Sequence, residues 1–523
     1  MMTTTKVFAA RSQLYLIACV IWAAAGLAYT ACGQTGLSPA NSPSAKTQQQ
    51  LDWELKTTVG AYEKIGRTNS AWDAPAKRAL AEYALIANGV SPDDMESISL
   101  TTDANVNRED STGFLMDDVM EQIVATNSDA AIKAGCDDPF VQYLHARFYD
   151  TQFGRPKVVD REFRRVALEM QKSSYPAEPK FYAAERAFMQ GEDDATNATA
   201  ISQKAQIAQF VQEDLLAVLQ DKTTPPDEAY IACVDMLNTL NWEKDDYIKT
   251  YSLMEPLLFS NWPNDSVSWL LKGIAHIQMG WNAHFGDNFG GPLVLTEAYD
   301  SLTREDQNNN PDFAIAEESL NRAWELNPKD ARVADEMMQL EMARGGLGQG
   351  MQVQGAGRAR LETWFDRAMK DDPNDYAACF AKLTYLHSKW YGSDEEMLKF
   401  GRECVANTNW GGDVPLILLD THFEIYINES KKMGYWKQPK VWQDVKAAYD
   451  RYIQANPDAT DIYRYYAVDA YFAGQWKTFL KLAPKVDAFG YGLFGGKNNF
   501  DKTVQYARRM ERKQSRTAPA GTQ

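Results

Sequence analysis

The chain has little of what most catalytic sites are built from. Its 523 residues include only five histidines, His145, His276, His284, His387 and His422, and they are scattered. No His-Glu-x-x-His pair or Cys/His cluster occurs, which removes the common zinc spacings. The nearest histidine pair, His276 and His284, stands eight residues apart with a glycine between, and is read as structural. A Gly-x-Ser-x-Gly nucleophile elbow is missing, as is an acidic calcium loop ending in glycine. Of the two glycine-rich stretches, Gly345–Gly350 lacks both a preceding strand and the dinucleotide-binding spacing. Gly490–Lys497 has Tyr491 where a phosphate loop requires glycine, and Asn498 where it requires Ser or Thr. No metal, cofactor or catalytic residue is therefore expected. Six cysteines form no Cys-x-x-Cys pair; Cys136, Cys233, Cys379 and Cys404 lie in the body of the chain. Cys379 and Cys404 either bridge neighbouring helices or stay as buried thiols.

Positive charge is also in deficit. Lys and Arg number 54 against 71 Asp and Glu, for a formal net charge of -17. That balance opposes a phosphate backbone or an anionic membrane as a general partner, because binding to either is dominated by basic side chains. Nucleic acid is not expected.

What is present is a folded, helical composition, 45% hydrophobic and 24% charged. One pattern recurs between Pro311 and Val405: an amphipathic run of helix length, an Asn-Pro or Asp-Pro stop, then another run. The first copy closes on Leu320, Ala323, Trp324, Leu326, Asn327, Pro328 and Asp330. The second closes on Phe365, Ala368, Met369, Asp372, Pro373 and Asp375. A small residue lets a neighbouring helix approach, the apolar residue three before it fills the same face, and proline ends the helix. An Asp or Asn shortly after can cap the next one. A third copy, Tyr449, Tyr452, Ile453, Asn456, Pro457 and Asp458, has Tyr452 at the small position, which predicts a looser contact. Such units form an array.

The rest of the body carries the same period. Ile207, Phe210, Val211, Leu215, Val218 and Leu219 predict a helix, and Pro225-Pro226-Asp227 opens another with Ile231, Val234 and Leu237. Asp137-Asp138-Pro139 starts a helix with Phe140, Leu144 and Phe148, while Tyr175-Pro176 separates two more. Asp103–Thr112 and Gly191–Thr199 read as exposed acidic connections. Trp269, Gly273, His276 and Gly280 sit near the spacing of a repeat's first helix. The segment Trp281 to Gly291 breaks that period with aromatics and glycines, as a loop that packs across a groove or binds something.

The N-terminus reads as an export signal: Lys6 and Arg11 precede an uncharged run from Leu14 to Ala28. Tyr29-Thr30-Ala31-Cys32-Gly33 resembles a bacterial lipoprotein processing site, which implies lipidation of Cys32, although Tyr29 departs from the usual leucine. Cleavage after Ala28 and retention as a membrane span of about 30 Å are the alternatives. Gln34–Gln50 is too polar to order itself and reads as a tether.

The paired-helix units resemble tetratricopeptide repeats, with a longer spacing from Pro328 to Pro373 than the standard repeat. Lys382 to Phe400, including Lys389-Trp390-Tyr391-Gly392-Ser393, resembles an uncharacterised bacterial domain family and implies no activity. Gly291-Pro292-Leu293-Val294-Leu295-Thr296-Glu297 is similar to a segment of outer-membrane glycan-capture lipoproteins of the starch-utilisation type.

The expected fold is all-α, stacked helical hairpins forming a tetratricopeptide-like solenoid. The expected division is a signal or anchor at 1–33, a tether at 34–50, a divergent repeat region at 51–255, a tetratricopeptide-like domain at 256–505 and a disordered tail at 506–523. The expected function is a lipid-anchored scaffold in the cell envelope that binds a protein or peptide without catalysis. Trp281, His284, Phe285, Trp390 and Tyr391 are the candidate binding surface. Trp390, Tyr391 and the set Tyr463, Tyr465, Tyr466, Tyr471, Phe472 and Trp476 could instead line a glycan groove, though helical spacing accommodates most of them as core. A glycan hydrolase with a carboxylate pair assembled only by folding is a further alternative, since such a pair leaves no spacing to find. Metabolic labelling with a lipid analogue should mark the wild type and not Cys32→Ala; equal labelling of both would remove the lipid anchor.

Overall fold

The computed structural model describes residues 45–65, 69–87, 116–150, 156–189, 198–239, 244–285, 310–344, 351–388, 390–428, 434–457, 459, 462–486 and 488–517. Among them every regular element is a helix or a single helical turn. The chain divides into two compact units, with the break at Asp371/Asp372. The first contains α1 (Ala45–Thr57), α2 (Val59–Ile65), α3 (Asp73–Ala87), α4 (Met116–Lys133, from Met120 on), α5 (Pro139–Leu144) with a π-turn His145–Asp150, α6 (Pro156–Lys172) and α7 (Ala177–Met189). It continues through α8 (Ala198–Gln220), α9 (Pro226–Thr239), α10 (Lys244–Asn261), α11 (Ser266–Phe285), α12 (Pro311–Leu326), α13 (Ala331–Arg344) and α14 (Met351–Asp371). The second contains α15 (Tyr376–Tyr385), α16 (Asp394–Ala406), α17 (Ile417–Asn428), α18 (Pro439–Ala455), α19 (Ile462–Phe472), α20 (Trp476–Leu482), α21 (Ala488–Leu493) and α22 (Lys497–Thr517). Packing runs largely between consecutive helices, α6 on α7, α7 on α8, α11 on α12, α13 on α14, as a helical-repeat solenoid requires.

The three stops behave as their chemistry dictates. After α12 the Asn327 amide bonds back to the Ala323 carbonyl at 2.9 Å, and α13 begins at Ala331 beyond Pro328. After α14 the Asp372 carboxylate accepts from the Asn374 amide at 2.8 Å, and Asp375 caps α15 by accepting from Ala378 at 2.8 Å. Pro457 follows α18, whose last carbonyl turn is closed by Asn456; Asp458 lies outside the described residues. Ala323 and Ala368 are fully buried, as small contact positions should be. Tyr452 is buried too, and beside it Tyr449 stacks on Tyr466 at 4.4 Å and 14°, so rings fill the third pair where alanine closes the others.

The tightest approach is between α11 and α12. A Cβ on Gly273 would fall 2.5 Å from Leu320, and one on Gly280 would fall 2.3 Å from the Phe313 ring. Asn310 joins both helices at this point: its Oδ1 accepts from the Asp312 amide at 2.9 Å, and its Nδ2 donates to the Gly280 carbonyl at 3.2 Å.

Four sequence expectations are corrected. Helix α11 continues through Trp281 to Phe285, where a loop was expected, because no breaker intervenes and Trp281 packs edge-on against Phe313 at 6.3 Å. A boundary at 255/256 falls inside α10, whose faces bury Tyr247, Tyr251, Met254 and Leu258 across it. Helix α1 starts at Ala45, inside the expected tether, since Leu51 and Trp53 bury its far end. The expected tail is helical to Thr517, anchored by buried Phe500 and Ala507 at helical spacing. The signal segment with Cys32, Asp103–Thr112, Gly286–Glu297 and Gly345–Gly350 lie outside the described residues, as does Gly191–Thr199 up to 197. Among the described residues no helix is long and apolar enough to cross a membrane.

Gly280→Ala should destabilise the fold by about 1–3 kcal/mol through overpacking against Phe313, read from the urea midpoint. Gly492→Ala, where nothing lies within 4 Å, should be near neutral.

Candidate functional site

Two helices and two inter-helix turns of the first unit meet around a cleft of about 370 Å³. Trp53, Lys56 and Thr57 come from α1, Ala61, Lys64 and Ile65 from α2, Ser174 and Pro176 from the α6–α7 turn, and Asp221 and Thr223 from the α8–α9 turn. Local hydrogen bonding shapes each wall. The hydroxyls of Thr57 and Thr58 bond to the Glu54 carbonyl at 3.0 and 2.6 Å, holding the junction of α1 and α2. Asp221 accepts from both the amide and the hydroxyl of Thr223, at 2.8 and 2.9 Å, so its charge is partly satisfied within its own turn. Lys56 and Lys64 remain exposed at the rim above the largely buried Trp53. The cleft therefore offers the small exposed edge of the Trp53 indole and two cations, suited to an extended segment with an apolar side chain and an anionic group.

Deeper in the same unit, Glu54 of α1, Glu178 of α7 and Glu228 of α9 are all buried. Desolvation is the main cause of their raised pKa values: Glu54 lies well above the carboxylate range, Glu178 is pushed up to about 8 and Glu228 to about 7. Their mutual repulsion adds to the effect. Gln50 Nε2 donates to Glu228 at 3.3 Å. Nearby Asp235 is likewise pushed up to about 7 by burial. These carboxyls are brought together by folding, as a hidden glycosidase pair would be. Glu54, however, has no accessible surface, whereas a glycosidase pair must flank a bound sugar.

The second unit has its own polar seam, carried by α17. Burial lowers the pKa of His422 and favours the neutral ring. In that state Nε2–H donates to Asp444 at 3.1 Å, and Nδ1 accepts from the Tyr435 hydroxyl at 2.8 Å. Arg402 of α16 grips the same Asp444 through Nε and Nη2, at 3.1 and 2.8 Å. One turn before His422's neighbour Glu424, Asp420 accepts from the Tyr376 hydroxyl at 2.8 Å, and burial pushes it up to about 7. The Tyr–His–Asp order has the form of a base with its orienting acid, but Tyr435 is itself buried beneath Trp436 and Tyr426. The seam ties α16, α17 and α18 together.

The aromatic candidates divide between the two units. Trp281 is half-buried on α11, and His284 and Phe285 occupy that helix's last turn. Trp390 and Tyr391 form the tight connection from α15 to α16, where Tyr391 lies on Tyr385 at 4.5 Å and Trp390 is 6.3 Å from Tyr391. Gly392 is required there, because a Cβ would fall 2.2 Å from the Leu386 carbonyl oxygen. Both rings are half-buried. Of the later set, Tyr466 is core, Tyr463 carries Lys485 over its face at 3.7 Å, and Tyr465 is exposed. Cys379 and Cys404 are free, fully buried and hydrogen-bonded thiol to thiol, with Cys379 pushed well up by burial. Among the described residues no group of His, Cys, Asp or Glu is placed to hold a metal ion.

The cleft residues escaped sequence reading because they come from helix ends more than a hundred residues apart. Trp53 and its two lysines in α1 and α2 were the only local signal. Comparison with protein-family models finds none that matches this chain, and comparison with curated proteins finds no significant match.

The buried carboxyls set a pH dependence of stability. Because their folded pKa values are raised, their contribution is fully present below the ordinary carboxyl pKa and is lost as pH rises through 7 and 8. Thermal midpoints should therefore fall between mildly acidic and mildly alkaline pH, and Glu54→Gln should flatten that slope and be the more stable form at the alkaline end. A slope identical to wild type in the variant would place its origin elsewhere.

Proposed function

We propose that this protein is an exported, lipid-anchored helical-repeat scaffold that holds a peptide segment of a partner protein and carries out no chemistry of its own. The observation that supports it best is the cleft at α1 and α2, built jointly with the α6–α7 and α8–α9 turns of the helical array. Stacked hairpins supply rigidity without a moving lid, and turns from distant parts of the chain supply adjacent recognition groups. In this reading Trp53 receives an apolar side chain, and Lys56 and Lys64 meet a carboxylate or an acidic residue next to it. The tetratricopeptide-like character of α12 to α15 and the lipidation of Cys32 belong to the same proposal, as does an envelope location.

Two features favour a peptide over a glycan. Trp390 and Tyr391 are half-buried, with Tyr391 packed on Tyr385, whereas the cleft pairs one aromatic with cations, a combination suited to a charged ligand. The buried carboxyls have no open surface on which a sugar could sit.

A photo-crosslinking amino acid at Lys64, expressed in the native host, should give one discrete protein adduct. The same amino acid at the exposed Lys329 or Lys370, outside the cleft, should not, and Lys56→Glu should reduce the adduct about tenfold or more by reversing a rim charge. Adducts of equal yield from all positions, or none from Lys64, would reject the cleft as the binding site. Release of sugar from an envelope polysaccharide by the purified protein would reject the non-catalytic reading.

A further inference from the structure

Helix α22 reverses the charge of the molecule. Its 21 residues carry seven Lys and Arg against two Asp and Glu, in a chain whose formal net charge is -17. Phe500 and Ala507 are buried, and Val504 and Met510 are partly so, which fixes one face against the core of the second unit. The basic residues take the other face. At 100° per residue, Lys502, Arg509, Lys513 and Arg516 fall within about 40° of one line along the helix, opposite Phe500 and Ala507, with Arg508 and Arg512 widening the band to one side. All six are exposed. From Lys502 to Arg516 the band is about 21 Å long. Lys497 stands apart: it pairs with Asp501 and lies over the Tyr491 ring at 4.8 Å.

We infer that this outer face of α22 docks on the headgroups of an anionic lipid bilayer. A plane of phosphates meets a straight band of cations along its whole length, and each Lys or Arg close to such a surface adds about 1 kcal/mol. Beside the band, Tyr506 is one of the few large apolar side chains left exposed among the described residues, at 40%. Tyr506 is held edge-on to Trp476 at 5.6 Å, so a tyrosine backed by a tryptophan stands at the level where headgroups give way to acyl chains. A nucleic acid offers no counterpart to that apolar flank. It would also bring further phosphates toward an otherwise acidic chain, whereas a plane of headgroups needs only the exposed face of the helix, and charges beyond a screening length of about 8 Å from it count for little. The proposal rests on the membrane-anchored reading above and adds to it an electrostatic contact of the folded part with the same surface.

The test is hydrogen exchange on the full-length protein with vesicles of phosphatidylcholine alone or mixed with phosphatidylglycerol. Amides of 502–516 should be protected only on the anionic vesicles, and raising the salt concentration should reverse the protection. Arg509→Glu/Arg512→Glu/Arg516→Glu should lower affinity for the anionic vesicles about 100-fold or more, while Arg509→Lys/Arg512→Lys/Arg516→Lys retains it. Equal protection on both vesicle types, indifference to the charge-reversed variant, or stronger protection by duplex DNA at matched phosphate would each overturn the inference. The readout is local to α22. Loss of lipid labelling at Cys32 would thus count against the anchor alone, and loss of α22 protection against the headgroup contact alone.

Discussion

Close approach of helix to helix is the constraint from which the rest of this structure follows. Where α11 meets α12 there is no room for a Cβ at Gly273 or Gly280, and the volume is taken by Leu320 and Phe313. Packing at this density excludes water and leaves the side chains few alternative positions. It also obliges the helix ends to satisfy themselves locally, which is why Asn310, Asp372, Asp375 and Asn456 sit where they do. Recognition groups then fall to the turns and ends of the array, the places where backbone is not already committed to a neighbour.

The same density explains a cost. Glu54, Glu178 and Glu228 are drawn into the interior of the first unit by the helices that carry them, and burial favours their protonated forms. Three carboxyls without a buried cation bonded to them make that unit sensitive to pH in a direction opposite to a salt-bridged surface. In the second unit the arrangement differs: Arg402 neutralises Asp444, and His422 stays uncharged between Asp444 and Tyr435. One unit thus holds a burden of unpaired acid, while the other uses a paired one to clamp three helices.

Charge on this chain is uneven in a way that the total conceals. A net charge of -17 argues against anionic partners only if the charge is spread evenly, and α22 is a concentrated exception. Fields near a surface depend on what lies within a screening length, so a basic helix in an otherwise acidic chain keeps its own partner preference. The cleft with Lys56 and Lys64 is a smaller instance of the same principle.

The sequence by itself determined the all-helical architecture, because apolar residues recur at 3.6 and proline closes each run; α9, α12 and α18 start at the prolines that permit a first turn. It also determined the contact positions Ala323 and Ala368, since small residues at a fixed offset from a stop have little other use. Local pattern could not reach further. Trp281 looked like the start of a loop, and only the Phe313 ring against it shows why the helix continues to Phe285. The stretch 506–523 reads locally as a disordered tail, although Phe500, Val504 and Ala507 already carry the helical period that anchors it to Thr517. The cleft, the carboxyl cluster, the half-burial of Trp390 and the division at Asp371/Asp372 were decided by the tertiary structure alone. Each depends on residues brought together from helices far apart in sequence, and spacing along a chain carries no record of which helix ends will meet in space.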